Sequence, residues 1–329
     1  MLTVVALAGC KGKAPDAMSH LPADADLVVG VDLGELAAWS GVSTLDPMFA
    51  GMGGGPSLKG TLDGIADCGV DVSEAKLLVA AKGETGMVAV VTAPKIGTPD
   101  ALRCIGVGDW RASSATPLFT PDSDGTIEVA GFLGRPISDD EILLTTGGYN
   151  DQRADLAAGT EGPTDEAIAK MLSTVDYDDT AWIVTSRTDA GQDWMASVTG
   201  LRVGIDTGDE VSFDAMVWNG DEAAAASMQG SLRRHLATMA GWIYAPPRLV
   251  QDADISLEDT TVSVKSTMSL AQFKGVDLRY VAERRHDGEH DADVVADEIA
   301  ALLAADAEEA EAEAADATPE VSIVASAQP

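Results

Sequence analysis

The sequence predicts an α+β fold of two lobes, each an antiparallel sheet with helices packed on one face. Three observations carry this. Short runs rich in Val, Leu and Ile come in pairs joined by Gly-, Asp- or Thr-containing turns, the mark of hairpins. Helical stretches separate those pairs instead of alternating with single strands, which favours antiparallel pairing. The order strand–helix–hairpin–helix–hairpin occurs twice, about 150 residues apart, as a pattern and not as repeated letters.

In the first lobe, residues 20–147, "LPADADLVVGVDLGEL" reads as a turn followed by a strand over Leu27–Leu33, with helix from Glu35. Gly51–Gly55 breaks that helical region, and a second helix covers Leu58–Ala66. "KLLVAAKGETGMVAVVTAP" gives strands Lys76–Ala81 and Met87–Thr92 around a glycine turn. A short helix follows over Pro99–Cys104, then strands over Thr126–Leu133 and Ile142–Thr146. Residues 148–174, containing "AGTEGPTDE", form a connecting helical segment.

The second lobe, residues 175–290, opens with the strand "TAWIVTSR" and a helical stretch at Gly191–Val198. A hairpin over Leu201–Gly220 turns at Thr207–Asp209. The long helix that follows begins with Asp221 and Glu222, where negative charge suits the helix dipole. A last hairpin over Ile255–Leu270 turns near Glu258–Thr260, and a slip in its alternation at Thr267/Met268 signals a bulge. Residues 291–329 form an acidic Ala/Glu-rich tail with helix-forming letters and little to bury, so a frayed helix passing into disorder is expected.

With 46% apolar residues and 5% aromatic, the chain can bury a core built mainly from aliphatic side chains. Its charge is strongly one-sided, 54 acidic residues against 21 basic for a net −33. From His286 to the end there are 13 Asp and Glu and no Lys or Arg, which leaves −20 for the rest. Such a field repels phosphate backbones and argues against a nucleic-acid partner. It also disfavours adsorption to anionic lipid by charge alone. Solubility, or tolerance of high salt, accounts for it.

Chemistry-bearing motifs are sparse. Ser73-Glu-Ala-Lys76 has the letters of a Ser-x-x-Lys nucleophile, but Lys76 opens an apolar strand and the companion motifs are missing. Gly51–Gly60 matches neither phosphate-binding glycine spacing, and its Met48, Phe49 and Met52 neighbours offer instead a soft apolar surface. Asp122-Ser-Asp124-Gly125 is too short for a calcium loop. His286 and His290 flank a glycine in a solvated stretch, His20 lies in a linker and His235 on a helix. No catalytic, metal-ligating or cofactor-binding residue is therefore assigned. A non-catalytic binding or scaffolding role is expected. The competing reading is an exported enzyme, for instance a hydrolase, whose carboxylates are scattered in sequence.

The opening "MLTVVALAGCKGK" carries the localisation signal. Leu7-Ala8-Gly9-Cys10 resembles the lipobox of bacterial lipoproteins. The resemblance implies that the Cys10 thiol receives a diacylglycerol thioether, that cleavage removes residues 1–9 as a signal-peptide remnant, and that the freed amine is acylated. Several acyl chains give stable attachment where a single chain is marginal. None of the nine residues before Cys10 is basic, which places the true start upstream. The competing reading of Leu2–Ala8 is a short core strand with a buried cysteine. Residues 10–19 become the lipidated cysteine and a tether, Lys11–Ser19, spanning at most about 30 Å. No aspartate follows Cys10, which by family analogy favours the periplasmic face of the outer membrane. The stretch "LPADADLVVGVDLGEL", with "CGVD" and a second cysteine beyond a hairpin, resembles envelope lipoproteins of myxobacteria-like Gram-negative bacteria. That resemblance implies export and names no activity. The partners implied are the membrane, through lipid on Cys10, and an envelope protein.

With Cys10 lipidated, Cys68 and Cys104 remain, an even number in an oxidising compartment. A hairpin between them returns the chain toward its start. A bridge would stabilise the fold by about 4 kcal/mol in the loop-entropy model. The alternative is two separately buried thiols.

Overall fold

The computed structural model describes residues 12–42, 58–83, 85–107, 127–129, 132–186, 197–242 and 253–271. The predicted Gly51–Gly55 break, the Asp122–Gly125 turn, His286, His290 and the tail lie outside them.

Among the described residues eleven strands form one sheet: β1 (Leu27–Asp32), β2 (Lys76–Lys82), β3 (Gly86–Thr92), β4 (Ile127–Val129), β5 (Phe132–Ser138), β6 (Glu141–Thr145), β7 (Ala181–Thr185), β8 (Val198–Thr207), β9 (Glu210–Asn219), β10 (Asp254–Glu258) and β11 (Thr261–Ser269). Their order across the sheet is β10-β11-β9-β8-β7-β1-β2-β3-β6-β5-β4, and every described pairing is antiparallel. The sheets of the two expected lobes thus meet edge to edge. Outward from β1 the strands run β2, β3, β6, β5; outward from β7 they run β8, β9, β11, β10. The seam pairs Leu27 with Thr185 through Val31 with Ala181. Two apolar edges, each with a row of unpaired backbone N–H and C=O groups, satisfy each other there.

The helices among the described residues are α1 (Leu33–Ala38), α2 (Leu58–Ala66), α3 (Pro99–Val107), α4 (Arg153–Ala158), α5 (Glu166–Leu172) and α6 (Glu222–Trp242). Residue alternation sends them to two sides. On β6, Leu143 joins one core cluster while its neighbours Ile142 and Leu144 join another. On β9, Trp218 and Val217 part in the same way. Against the Ile142 side pack Leu102 and Ile105 of α3, and against the Val217 side Ala225 and Met228 of α6. The opposite face holds the largest core, where Val28, Val90, Leu143 and Val184 meet Leu156 of α4 and Ile168 and Met171 of α5. The helices of each half therefore share one face, and the connecting segment roofs the other.

Several local expectations are corrected. Leu33 opens α1 instead of closing β1, because the Asp32 side chain accepts from the Glu35 amide at 2.9 Å and caps a helix there. The single strand expected over Thr126–Leu133 is two strands, β4 and β5. Val198, expected at a helix end, begins β8; the rest of Gly191–Val198 up to residue 196 lies outside the described residues. The bulge expected at Thr267/Met268 does not occur: β11 pairs with β9 without a slip from Thr261 to Ser269.

The expected tether also differs, because from Gly12 onward it is part of the body. Asp16–His20 form a 3₁₀ turn with Ala17 buried, and Leu21 is fully buried. Thr160 donates to the Ser19 carbonyl from its amide and, at 3.1 Å, from its hydroxyl. The His20 ring meets the Leu156 carbonyl at 2.9 Å. Sequence polarity hid this, because what fixes the segment is backbone hydrogen bonding to a loop 140 positions away and not apolar periodicity.

Candidate functional site

Cys68, just beyond α2, and Cys104, on α3, form a disulfide with their Cα atoms 5.5 Å apart. Cys10 lies outside the described residues.

The densest polar chemistry surrounds the start of β7, in the run Asp176-Tyr177-Asp178-Asp179. Asp176 Oδ1 accepts from the Asp178 amide at 3.2 Å, closing a tight turn, and from the Gly12 amide at 3.3 Å. Tyr177 donates to the Leu172 carbonyl at 3.1 Å and stands edge-on to Trp182, with ring centroids 5.4 Å apart. Burial pushes the Tyr177 phenol above its ordinary range. Asp179 then turns inward beneath the roofed face of the sheet.

There it meets Arg202 of β8. Arg202 is 3% exposed, and its Nη1 donates to Asp214 Oδ2 on β9 at 2.8 Å. Its Nη2 stands 3.8 Å from Asp179 Oδ2. Asp179 Oδ2, Arg202 Nε and Asp214 Oδ1 are buried and make no hydrogen bond. Two carboxylates thus share one guanidinium, and Asp179 holds the poorer place. Burial pushes its carboxyl up to about 6; Arg202 pulls it down, and Asp176, Asp206 and Asp214 push it up further. Glycine makes the approach possible, since a Cβ on Gly204 would collide with Asp179 Oδ2.

Beside this cluster a groove of about 320 Å³ crosses the sheet. Its floor is Gly30 and Trp182, and Asp179 reaches its wall. One cross-strand row, Asp32–Lys76–Thr92–Glu141, runs along it over four strands. Lys76 pairs with Asp32 at 3.2 Å. At the rim Lys13 meets Asp16 at 2.9 Å, both well exposed. Two further hollows of about 430 Å³ each flank α5. One lies toward β8 and β9 and includes Glu166, Lys170, Thr199, Trp218 and Asn219. The other lies toward the N-terminal segment and includes Gly12, Ala14, Ala169, Leu172, Val175 and Tyr177.

Among the described residues no three His, Cys, Asp or Glu side chains converge in the manner of a metal centre, and no helix is long and apolar enough to cross a membrane. Ser73 sits in a 3₁₀ turn bonded to Asp71, while Lys76 begins β2 and pairs with Asp32, so the Ser-x-x-Lys letters are not brought together on a helix. The sequence reading passed over Asp179, Arg202 and Asp214. The available signal was an arginine and an aspartate on alternating positions of a hairpin whose other register is apolar.

No family model matches this chain, and no curated protein matches it. Its fold is similar to a solved structure described as "Structure of crystal form I of TP0453", at 8% identity and a TM-score of 0.48, covering 82% of this chain and 98% of that one.

Proposed function

We propose that this is a lipid-anchored cell-envelope protein, attached through acyl chains on Cys10 and serving a non-catalytic binding or scaffolding role at the periplasmic face of the outer membrane. The observation that carries the reading is the Cys68–Cys104 disulfide. Such a bridge belongs to an oxidising compartment. Of the three cysteines it leaves Cys10, at the lipobox, outside a bridge. Gly12, two residues further on, donates its amide to Asp176, which suits an anchor held close to the body. The open groove and hollows suit docking of a partner more than a reaction sheltered from water.

Asp179 supports one other reading. A carboxyl titrating near 6 at the wall of a groove has the properties of a general acid or base, as the hydrolase alternative requires.

The test is the intact mass of the natively expressed protein from a detergent-extracted membrane fraction, with and without reductant. The expected chain begins at Cys10 and carries acyl mass. A soluble chain that keeps residues 1–9 and bears no lipid overturns the reading.

A further inference from the structure

We infer that the hollow between the N-terminal segment and α5 seats an acyl chain carried on Cys10 of the same molecule. The inference deepens the anchoring proposal and rests on it.

In a chain of net charge −33, the lining of this hollow contains no charged side chain. It consists of Gly12, Ala14, Ala169, Leu172, Val175 and Tyr177, with Pro163 and Ser173 at the edge. Its polar groups already have protein partners. The Tyr177 hydroxyl donates to the Leu172 carbonyl at 3.1 Å, the Ser173 hydroxyl to the Lys170 carbonyl at 2.6 Å, and the Gly12 amide to Asp176 at 3.3 Å. The lining left to an occupant is more apolar than polar, and the volume of about 430 Å³, open to solvent on one side, admits part of an acyl chain laid along it. The groove and the hollow beyond α5 do not share this character, since both have charged residues in their walls.

Position selects the occupant. Gly12 and Ala14 are themselves part of the wall, and two residues bridge at most about 7 Å, so the connection from Cys10 to that wall is short. An acyl chain on its sulfur has only to fold back along the segment that bears it. Each methylene transferred from water gains free energy, and the tethering makes the local concentration of the chain high.

The test uses the processed chain, residues 10–329, in detergent-free buffer. With Cys68 and Cys104 bridged, a maleimide bearing a dodecyl chain tipped with the fluorophore NBD labels Cys10. Fluorescence emission and the rate of chemical bleaching by dithionite report whether the tip is shielded. In the wild type the emission is blue-shifted and bleaching is at least about tenfold slower than for the free label. Ala169→Trp, at an exposed position of α5, fills the hollow and restores the free-label rate. Glu166→Trp, lining the hollow on the other side of α5, leaves the slow rate unchanged and controls for the added indole. Unshielded wild type, or shielding that survives Ala169→Trp, overturns the inference. Either result leaves the anchoring proposal standing, because that is decided by the intact mass alone.

Discussion

Asp179 stands 3.8 Å from the buried guanidinium of Arg202, yet its carboxyl is pushed up to about 6, so desolvation outweighs the attraction. The sign for stability follows. A carboxyl whose folded value lies above its unfolded one of about 3.8 binds more protons in the native state between those two values. Its contribution is full below the unfolded value and is lost as pH rises through the folded one. Asp179→Asn is therefore expected to gain stability over wild type progressively from pH 4 to pH 7, because the amide stays neutral throughout. Urea unfolding of both proteins across that range gives the difference curve. A flat difference sinks the assignment.

Asp214 plays the opposite part. It accepts the 2.8 Å bond from Arg202 Nη1, and without it a guanidinium that is 3% exposed keeps only the distant Asp179. Removing one partner of a buried pair costs about 3–5 kcal/mol, most of it the burial of the charge left behind. Asp214→Asn is expected near the lower end, since the amide oxygen still accepts one bond. In an Asp179→Asn background, where no carboxylate is left behind, replacing Arg202 and Asp214 together by Met and Leu recovers much of the loss. The double-mutant cycle in urea separates the two cases.

Gly30 is held at glycine by Trp182. The two residues face each other across the β1–β7 seam, and a Cβ on Gly30 would lie inside the indole. Trp182 is 4% exposed and belongs to the main core, so an indole pushed aside disturbs its neighbours there. Gly30→Ala is expected to cost about 1–3 kcal/mol as overpacking and to alter the near-ultraviolet circular dichroism of the displaced indole. An unchanged spectrum with unchanged stability contradicts the seam geometry.

These sites show where sequence reading reaches and where it stops. The bounds of α2 and the two hairpins β2–β3 and β8–β9 were legible because apolar period and turn residues agreed. Arg202 and Gly204 lie in the register of β8 that alternates with Leu201, Val203 and Ile205, and such alternation ordinarily marks a solvent face. That inference holds only for a sheet with one wet face. Here 148–174 and the docked N-terminal segment cover the second face, so Arg202 and Gly204 are buried as well, and a roof made by distant loops leaves no local pattern. The strand expected to end at Leu133 runs on to Ser138 as β5, and Pro136 occupies its irregular step between Pro136 and Ser138, where proline is tolerated.

Thr160 tests whether the N-terminal segment belongs to the body. Its hydroxyl hydrogen is shared between the Leu21 carbonyl at 2.9 Å and the Ser19 carbonyl at 3.1 Å, and its oxygen accepts from the Gly162 amide at 3.0 Å. Thr160→Val keeps the shape and removes these contacts, at about 1–2 kcal/mol for buried backbone groups left unpaired. The loss is local, so hydrogen exchange is the sensitive readout. Amides of Met18 and Leu21, which donate to Pro15 and Met18, are expected to exchange faster, while those of β2 and β3 keep their rates.

The disulfide gives the largest effect. It ties the end of α2 to α3 across the β2–β3 hairpin, closing a sequence separation of 36. Cys68→Ala with Cys104→Ala frees that loop in the unfolded chain and is expected to cost about 4 kcal/mol. Cys68 packs against an apolar cluster containing Val70, Leu102 and Ile105, so its alanine introduces no polar mismatch and the loop term dominates. Reduction of the wild type should lower its urea midpoint to that of the double variant. A reduced wild type clearly more stable than the alanine pair would assign the difference to sulfur packing instead of loop closure.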